Sequence, residues 1–255
     1  MSFDANQYNN LQEYVDKLRE YKFKEGYKPK HQILFDYHES INKYGMEEEF
    51  YKKYIHPDMY HAEKMKDWNS VIKEPIWEVH QFPLITEELA TMIVEEVEHF
   101  NNFLNPDEGP NRGSYLTTDS MLDSIPGINN YIDKPLGELY FRIQWKYLRP
   151  ILKHVWKYRV RGFPWSWVAK YEIGGQESLE NHHDDAVCAS VLSLNDEYEG
   201  GGTWFERPNV VIDREPGWCT IHPSQLTHYH AGKKITKGKR YILVTFIGGG
   251  NEDQY

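Results

Sequence analysis

The sequence predicts an α+β fold in which helices come first and a jelly-roll or barrel of short strands follows. From Trp165 onward, short alternating or β-branched runs ("SWVAKYEI", "AVCASVLSL", "GTWFE", "NVVID", "GWCTIH", "RYILVTFI") are punctuated by Gly, Pro, Asn and Asp, the texture of closely spaced strands. Upstream, "TEELATMIVEEVEHFNNFL" and "KPLGELYFRIQWKYLRPILKHVWKYR" space their apolar residues as helices do. At 255 residues and 40% apolar, the chain is long enough to bury one substantial core.

Residues 1–60 read as a helical arm rich in Tyr, Lys and Glu. Within it, "NLQEYVDKLREYKF" sets Leu11, Tyr14, Val15 and Leu18 at helical spacing, and "MEEEFYKKYI" is a second short helix. The stretch "IWEVHQFPLI" (76–85) alternates like a strand and stops at Pro83. Thr86 then stands as the N-cap of a helix carrying Leu89, Ile93, Val97 and Phe100 along one stripe. "NPDEGPNRGS" (105–114) is a turn-rich loop. In the long helix over 134–159, Pro150 predicts a kink or break. The strands at about 165–248 form the core of a second unit, residues 61–255, and hold most of the histidine clusters. Trp156, Phe163, Trp165 and Trp167 read as core rather than as a ligand cage, and Cys188 as a buried strand residue. The glycine runs 200–202 and 248–250 are turn or chain-end glycines, without the Lys-Ser/Thr of a phosphate loop.

Composition narrows the partners. A net charge of -10, from 29 basic and 39 acidic residues, disfavours general nucleic-acid and membrane-surface binding and mildly favours a cationic substrate. Two cysteines exclude a disulfide framework and suit a reducing compartment. "MSFDANQYNN" has neither a basic n-region nor an apolar run, and no segment approaches the ~20 apolar residues of a bilayer span. The expectation is a cytoplasmic protein, or a lumenal one if the chain is cut from a longer precursor.

The chemistry concentrates in "ENHHDDAVCASVLSLN" (180–195). On a strand, residues i and i+2 share a face, so a His-x-Asp pair offers one nitrogen and one oxygen to a single metal. A distant His would complete a two-His-one-carboxylate triad, the open-sided set of non-haem Fe(II) oxygenases. Two pairs qualify, His182 with Asp184 and His183 with Asp185, and two distant histidines qualify, His228 and His230. Ten residues beyond His230 stands Arg240, placed to make two charge-assisted hydrogen bonds to a carboxylate co-substrate. Spacing alone leaves both ties open.

The stretches "HHD" (182–184), "YEGGGTWF" (198–205) and "GWCTIHPSQLTHYHAGKKITKGKRYILVTF" (217–246) resemble the 2-oxoglutarate- and Fe(II)-dependent oxygenases of the double-stranded β-helix fold, and within them the catalytic domain of the procollagen lysyl hydroxylases. Weaker echoes lie in "YIHPDMY" (54–60), "FPLITEELATMIVEEVEHF" (82–100) and "LTTD" (116–119), so the resemblance covers about residues 50–248. It implies that His182, Asp184 and His230 are the metal ligands and that Arg240 grips 2-oxoglutarate. It further implies that Tyr171 and Thr117 contact this co-substrate. Where lysyl hydroxylases carry an asparagine near the co-substrate, this chain has Val191.

The implied reaction consumes O2 and 2-oxoglutarate on Fe(II), with ascorbate in support, and yields succinate and CO2. It hydroxylates a lysyl side chain at C5 in a peptide or collagen-like substrate, and a homodimer is expected. A carboxylate at 184, where halogenase relatives make room for chloride, favours hydroxylation. The alternatives are a prolyl, other amino-acid or small-molecule hydroxylase of the same superfamily, or a metal-holding β-barrel binder without turnover. A zinc hydrolase would want a general base and no carboxylate-gripping Arg. His183, Asp185 and His228 are left as candidates behind the ligands or facing substrate. Asp185 is the candidate partner for a lysine ammonium, although on a regular strand it points away from the face of Asp184.

Overall fold

The computed structural model describes residues 29–36, 47–100, 118–121, 135–160 and 165–248. The helix expected over 10–23, the loop 105–114, Thr117 and Phe163 lie outside the described residues.

Strands Lys73–Ile76 (β1), Val79–Pro83 (β2), Thr118–Met121 (β3), Trp165–Glu172 (β4), Leu179–His182 (β5), Cys188–Ser193 (β6), Tyr198–Gly200 (β7), Thr203–Phe205 (β8), Val210–Ile212 (β9), Trp218–Pro223 (β10), His230–Gly232 (β11) and Ile235–Ile247 (β12) build two antiparallel sheets. The larger runs β1-β2-β10-β6-β12-β4-β3, with β7 also paired to β12; the smaller runs β5-β11-β8-β9. Together they are the double-stranded β-helix, with a cavity between the sheets.

The large sheet is apolar on both faces, and strand alternation assigns each residue its side. On β12, Tyr241, Leu243 and Ile247 join the core beneath the helices, while Arg240, Ile242, Val244 and Phe246 face the cavity. On β4, Val168 goes to the helix side and Trp167, Ala169 and Tyr171 to the cavity side. On β6, Cys188 and Leu192 are buried under the helices and Val191 lines the cavity. Burial pushes the Cys188 thiol up to about 12, so it is an inert core residue.

Helix Glu87–Phe100 packs Leu89, Ile93 and Val97 into this core. Thr86 caps it, its hydroxyl accepting from Leu89 N–H at 3.4 Å. The long helix is Pro135–Ile143, a π-helical turn over Gln144–Leu148, then Arg149–Trp156. Pro150 opens the last segment, and the wide turn sits where its ring and missing N–H disrupt the α-helical ladder. That turn points Gln144 inward, where its amide donates to Ser166 Oγ (3.1 Å) and Thr245 Oγ1 (2.8 Å), clamping the helix onto β4 and β12. Among the described residues no helix is long and apolar enough to cross a membrane.

Two expectations change. "IWEVHQFPLI" is not one strand but the turn and second arm of a hairpin, with Trp77 exposed and Glu78 at φ 60°. The alternation continues through the turn, which hid it. Trp167 is not simply core: its ring meets Phe246 edge-on (4.8 Å between centroids) and forms cavity wall.

Candidate functional site

β5 and β11 are neighbours in the small sheet, and their register sets His182 directly opposite His230. β5 ends at His182, and the chain then turns so that Asp184 comes between the two rings. His182 Nε2 lies 3.3 Å from Asp184 Oδ1, and His230 Nε2 lies 3.7 Å from Asp184 Oδ2. One ligand atom from each of the three falls within 4.8 Å of the others, a group able to hold a metal ion. Each imidazole is oriented from behind by backbone: His182 Nδ1–H donates to the Glu180 carbonyl and His230 Nδ1–H to the His228 carbonyl, both at 2.8 Å. That aims both Nε2 atoms inward, where the lone pair of a neutral imidazole would meet a metal.

Burial and the central carboxylate pull the two imidazoles in opposite directions. Burial lowers the His230 pKa to about 3, reinforced by neighbouring His222, so its imidazole is neutral. Burial alone would raise Asp184, yet the hydrogen bond from His182 and the nearby His230 and His222 hold it below the ordinary carboxylate value. For His182 burial works downward, but Asp184 and the Glu180 carbonyl raise it above the ordinary value. The set is two imidazoles around one buried anion.

The triad opens into a cavity of about 460 Å³, a size suited to small-molecule chemistry. Tyr171 and Arg240, register partners on β4 and β12, close one end. Arg240 is 2% exposed, with its guanidinium carbon 5.5 Å from the Tyr171 ring and 5.9 Å from the Tyr198 ring. Its Nη2 faces Asp213 Oδ1 at 3.8 Å, and Tyr198 O–H donates to that carboxylate at 2.8–2.9 Å. Arg240 Nε and Nη1 have no hydrogen-bond partner among the described residues. A buried cation with spare donors is costly unless an anion completes it, so these residues fit a carboxylate ligand.

The three glycines of "YEGGG" serve this end of the cavity. Gly200, Gly201 and Gly202 all take positive φ (77°, 75°, 85°), and a Cβ on Gly201 would stand 3.1 Å from Arg240 Cδ. A side chain at 201 would crowd both Arg240 and the Tyr198 ring.

Of the residues singled out in the sequence, His182, Asp184, His230, Arg240 and Tyr171 meet in this one cavity, with Val191 in its wall and His183 and Asp185 at its lining. His228 does not join them. Its ring stacks on Trp77 (5.7 Å), with Nε2 3.1 Å from the Trp77 carbonyl and Nδ1 2.8 Å from Thr227 Oγ1. Three residues went unread in the sequence. His222 is fully buried, with Nε2 3.9 Å from Asp184 Oδ2. Tyr198 and Asp213 back Arg240. Tyr198 sits inside a motif whose glycines alone drew notice, and Asp213 directly follows β9 with no motif at all.

No family model matches the chain. Over 214 residues it is 33% identical to the procollagen-lysine,2-oxoglutarate 5-dioxygenase 1 of Mus musculus, covering 78% of this chain and 27% of that one. It is 31% identical over 214 residues to the procollagen lysyl hydroxylase and glycosyltransferase of Acanthamoeba polyphaga mimivirus, covering 78% and 22%. The chain thus spans about a quarter of the length of these relatives. Among solved structures, the Trichoplax adhaerens prolyl hydroxylase in complex with a hypoxia inducible factor peptide fragment superposes with a TM-score of 0.53 at 14% identity, over 83% of this chain and 94% of that one. That likeness is one of fold.

Proposed function

We propose that the chain is an Fe(II)- and 2-oxoglutarate-dependent dioxygenase hydroxylating a lysyl side chain in a peptide or collagen-like substrate, a reading supported by its 33% identity over 78% of its length to a procollagen-lysine,2-oxoglutarate 5-dioxygenase. The observation that carries the reading is the pairing of two features in one cavity: a facial His182–Asp184–His230 set, and a buried Arg240 with two unpartnered donors. A ligand that both chelates a metal and carries a second carboxylate satisfies both at once, and 2-oxoglutarate is such a ligand. A metal-holding binder or a hydrolase has no use for the second feature.

Fe(II) and 2-oxoglutarate, when bound, would supply with O2 the oxidising chemistry, with succinate and CO2 as co-products. The chain does the rest by position. His182 Nε2, the Asp184 carboxylate and His230 Nε2 would hold the metal on one side and leave the other open. Arg240 and Tyr171 orient the distal carboxylate, and Asp213 with Tyr198 keeps the guanidinium in place. Ala169, Val191, Ile242 and Val244 give the cavity apolar walls that limit water at the reacting centre.

The test is incubation with Fe(II), 2-oxoglutarate and matched peptides carrying lysine or proline, reading succinate and a gain of one oxygen by mass. Oxygen gain on lysine peptides supports the proposal; gain on proline peptides alone ends the lysyl part and keeps the oxygenase part. No succinate under any condition ends both. Ascorbate support and a homodimer belong to the same reading, tested by adding ascorbate to the assay and by light scattering.

A further inference from the structure

We propose that Asp185 selects the substrate's side chain by its positive charge, in a cavity polarised from end to end; the proposal rests on the oxygenase reading above. On β12 the cavity-lining residues run Arg240, Ile242, Val244, Phe246, a span of about 20 Å. The Arg240 end is the cationic one and takes the carboxylate. Toward the Phe246 end the wall is apolar: Trp167 and Val191 are both register partners of Val244.

The loop 183–187 reaches that apolar end. Val187 N–H donates to the Ile247 carbonyl at 3.2 Å, and the next residue, Cys188, pairs with Ile247. Strand alternation would have turned Asp185 away from the site. It does not, because β5 stops at His182 and residues 183–187 are irregular, so Asp184 and Asp185 line the same cavity.

Among the described residues that line the cavity these two are the only carboxylates, and their surroundings differ. Asp184 is buried among His182, His222 and His230. Asp185 is exposed and has no ion-pair partner among the described residues. Its neighbour His183 is engaged, donating Nδ1–H to the Ser224 carbonyl at 3.1 Å. An apolar wall opposite a lone carboxylate fits a side chain with a methylene stem and an ammonium tip: the stem packs on Trp167, Val191, Val244 and Phe246, and the tip meets Asp185. A neutral ring such as proline would bring the carboxylate out of water without a partner, which is unfavourable.

The experiment compares wild type, Asp185→Asn and Asp185→Glu against peptides identical except for lysine, norleucine or proline at the target. It reads both kcat/KM for oxygen gain and calorimetric Kd. Wild type should favour lysine over norleucine by roughly 10–100-fold, and added salt should shrink that preference. Asp185→Asn should bring the ratio to within about 3-fold, mainly through weaker binding of the lysine peptide, while Asp185→Glu keeps most of it. A ratio that Asp185→Asn leaves intact overturns the proposal, as does equal use of proline and lysine peptides by wild type. If 2-oxoglutarate yields no succinate with any peptide, the oxygenase reading has failed; succinate with an unaltered ratio means that only Asp185 has.

Discussion

His182 and His230 are cross-strand partners whose ring centroids stand 4.4 Å apart, each held from behind by a main-chain carbonyl two residues earlier. Ligand orientation is therefore written into strand geometry and not into a shell of side chains. Disturbing the pairing of β5 with β11 moves both imidazoles at once. Replacing surrounding side chains should disturb the pair far less.

The adjacent aspartates give a sharp test of this site. Asp184→Ala is expected to abolish Fe(II) binding and turnover, because it removes the anionic member of the triad. Asp185→Ala is expected to keep the metal, within the roughly 10–100-fold that neighbouring groups contribute. Metal content after dialysis, read by atomic emission, decides between them, and the reverse pattern would move the ligand set by one residue.

Stability offers a test in Gly217, where conformation and contact can be separated. Gly217 takes φ +85°, and a Cβ there would sit 2.1 Å from the Ile85 carbonyl oxygen. Its own carbonyl accepts from Leu84 and Ile85 N–H, and its N–H donates to Ser193, tying β2, β10 and β6 together. Gly174 has a similar φ, +80°, with nothing within 4 Å of its Cβ position. Gly174→Ala should therefore cost only the left-handed strain, about 1–2 kcal/mol, and Gly217→Ala about 3 kcal/mol or more. At this chain length each kcal/mol shifts Tm by about 2–4 °C, so calorimetry resolves the two. Equal shifts would mean that the Ile85 backbone yields freely.

Much of this was legible in the sequence where local chemistry dictates structure. The long runs around Val168, Val191 and Leu243 alternate, and they became strands of the large sheet. The Thr86 cap and the Leu89, Ile93, Val97 stripe likewise needed no tertiary information. In the small sheet, "GTWFE" and "NVVID" read as strands and became β8 and β9, whereas β5 and β11 were hidden because they are short and carry His, Asn and Gly where β-branched residues would signal a strand. Asp185 could be named as a candidate from the sequence, but its face could not be fixed, because alternation applies only to a regular strand and β5 ends at His182. His222 and Asp213 matter only through neighbours far away in sequence, which spacing does not reveal.

Arg240 tests the co-substrate end. Arg240→Ala should raise the KM for 2-oxoglutarate strongly while Fe(II) still binds, since removing one partner of a desolvated charge pair costs about 2–5 kcal/mol. Arg240→Lys should be milder, because it keeps a cation though not the planar fork. Steady-state kinetics with varied 2-oxoglutarate measures both, and an unchanged KM in Arg240→Ala would place the anion site elsewhere.

The support behind Arg240 yields the last prediction. Tyr198 contributes a ring 5.9 Å from the guanidinium carbon and an O–H to Asp213, whose carboxylate faces Arg240 Nη2. Burial pushes the Tyr198 phenol up to about 12, so at neutral pH it stays a donor and holds the Asp213 carboxylate in place. Tyr198→Phe keeps the ring and loses the donor; Asp213→Ala loses the anion; Gly201→Val drives a Cβ against Arg240 Cδ at a φ of 75°. All three act by loosening Arg240, so each should raise the KM for 2-oxoglutarate and leave Fe(II) affinity intact. The effect should be smallest for Tyr198→Phe and reach roughly 10-fold for Asp213→Ala, the low end for groups that position a ligand-binding residue. The KM against kcat split, together with metal content, separates this from general unfolding, which would lower apparent kcat and bound metal and leave KM unchanged. A fall in KM for Asp213→Ala would mean that Asp213 competes with the co-substrate for the guanidinium instead of steadying it.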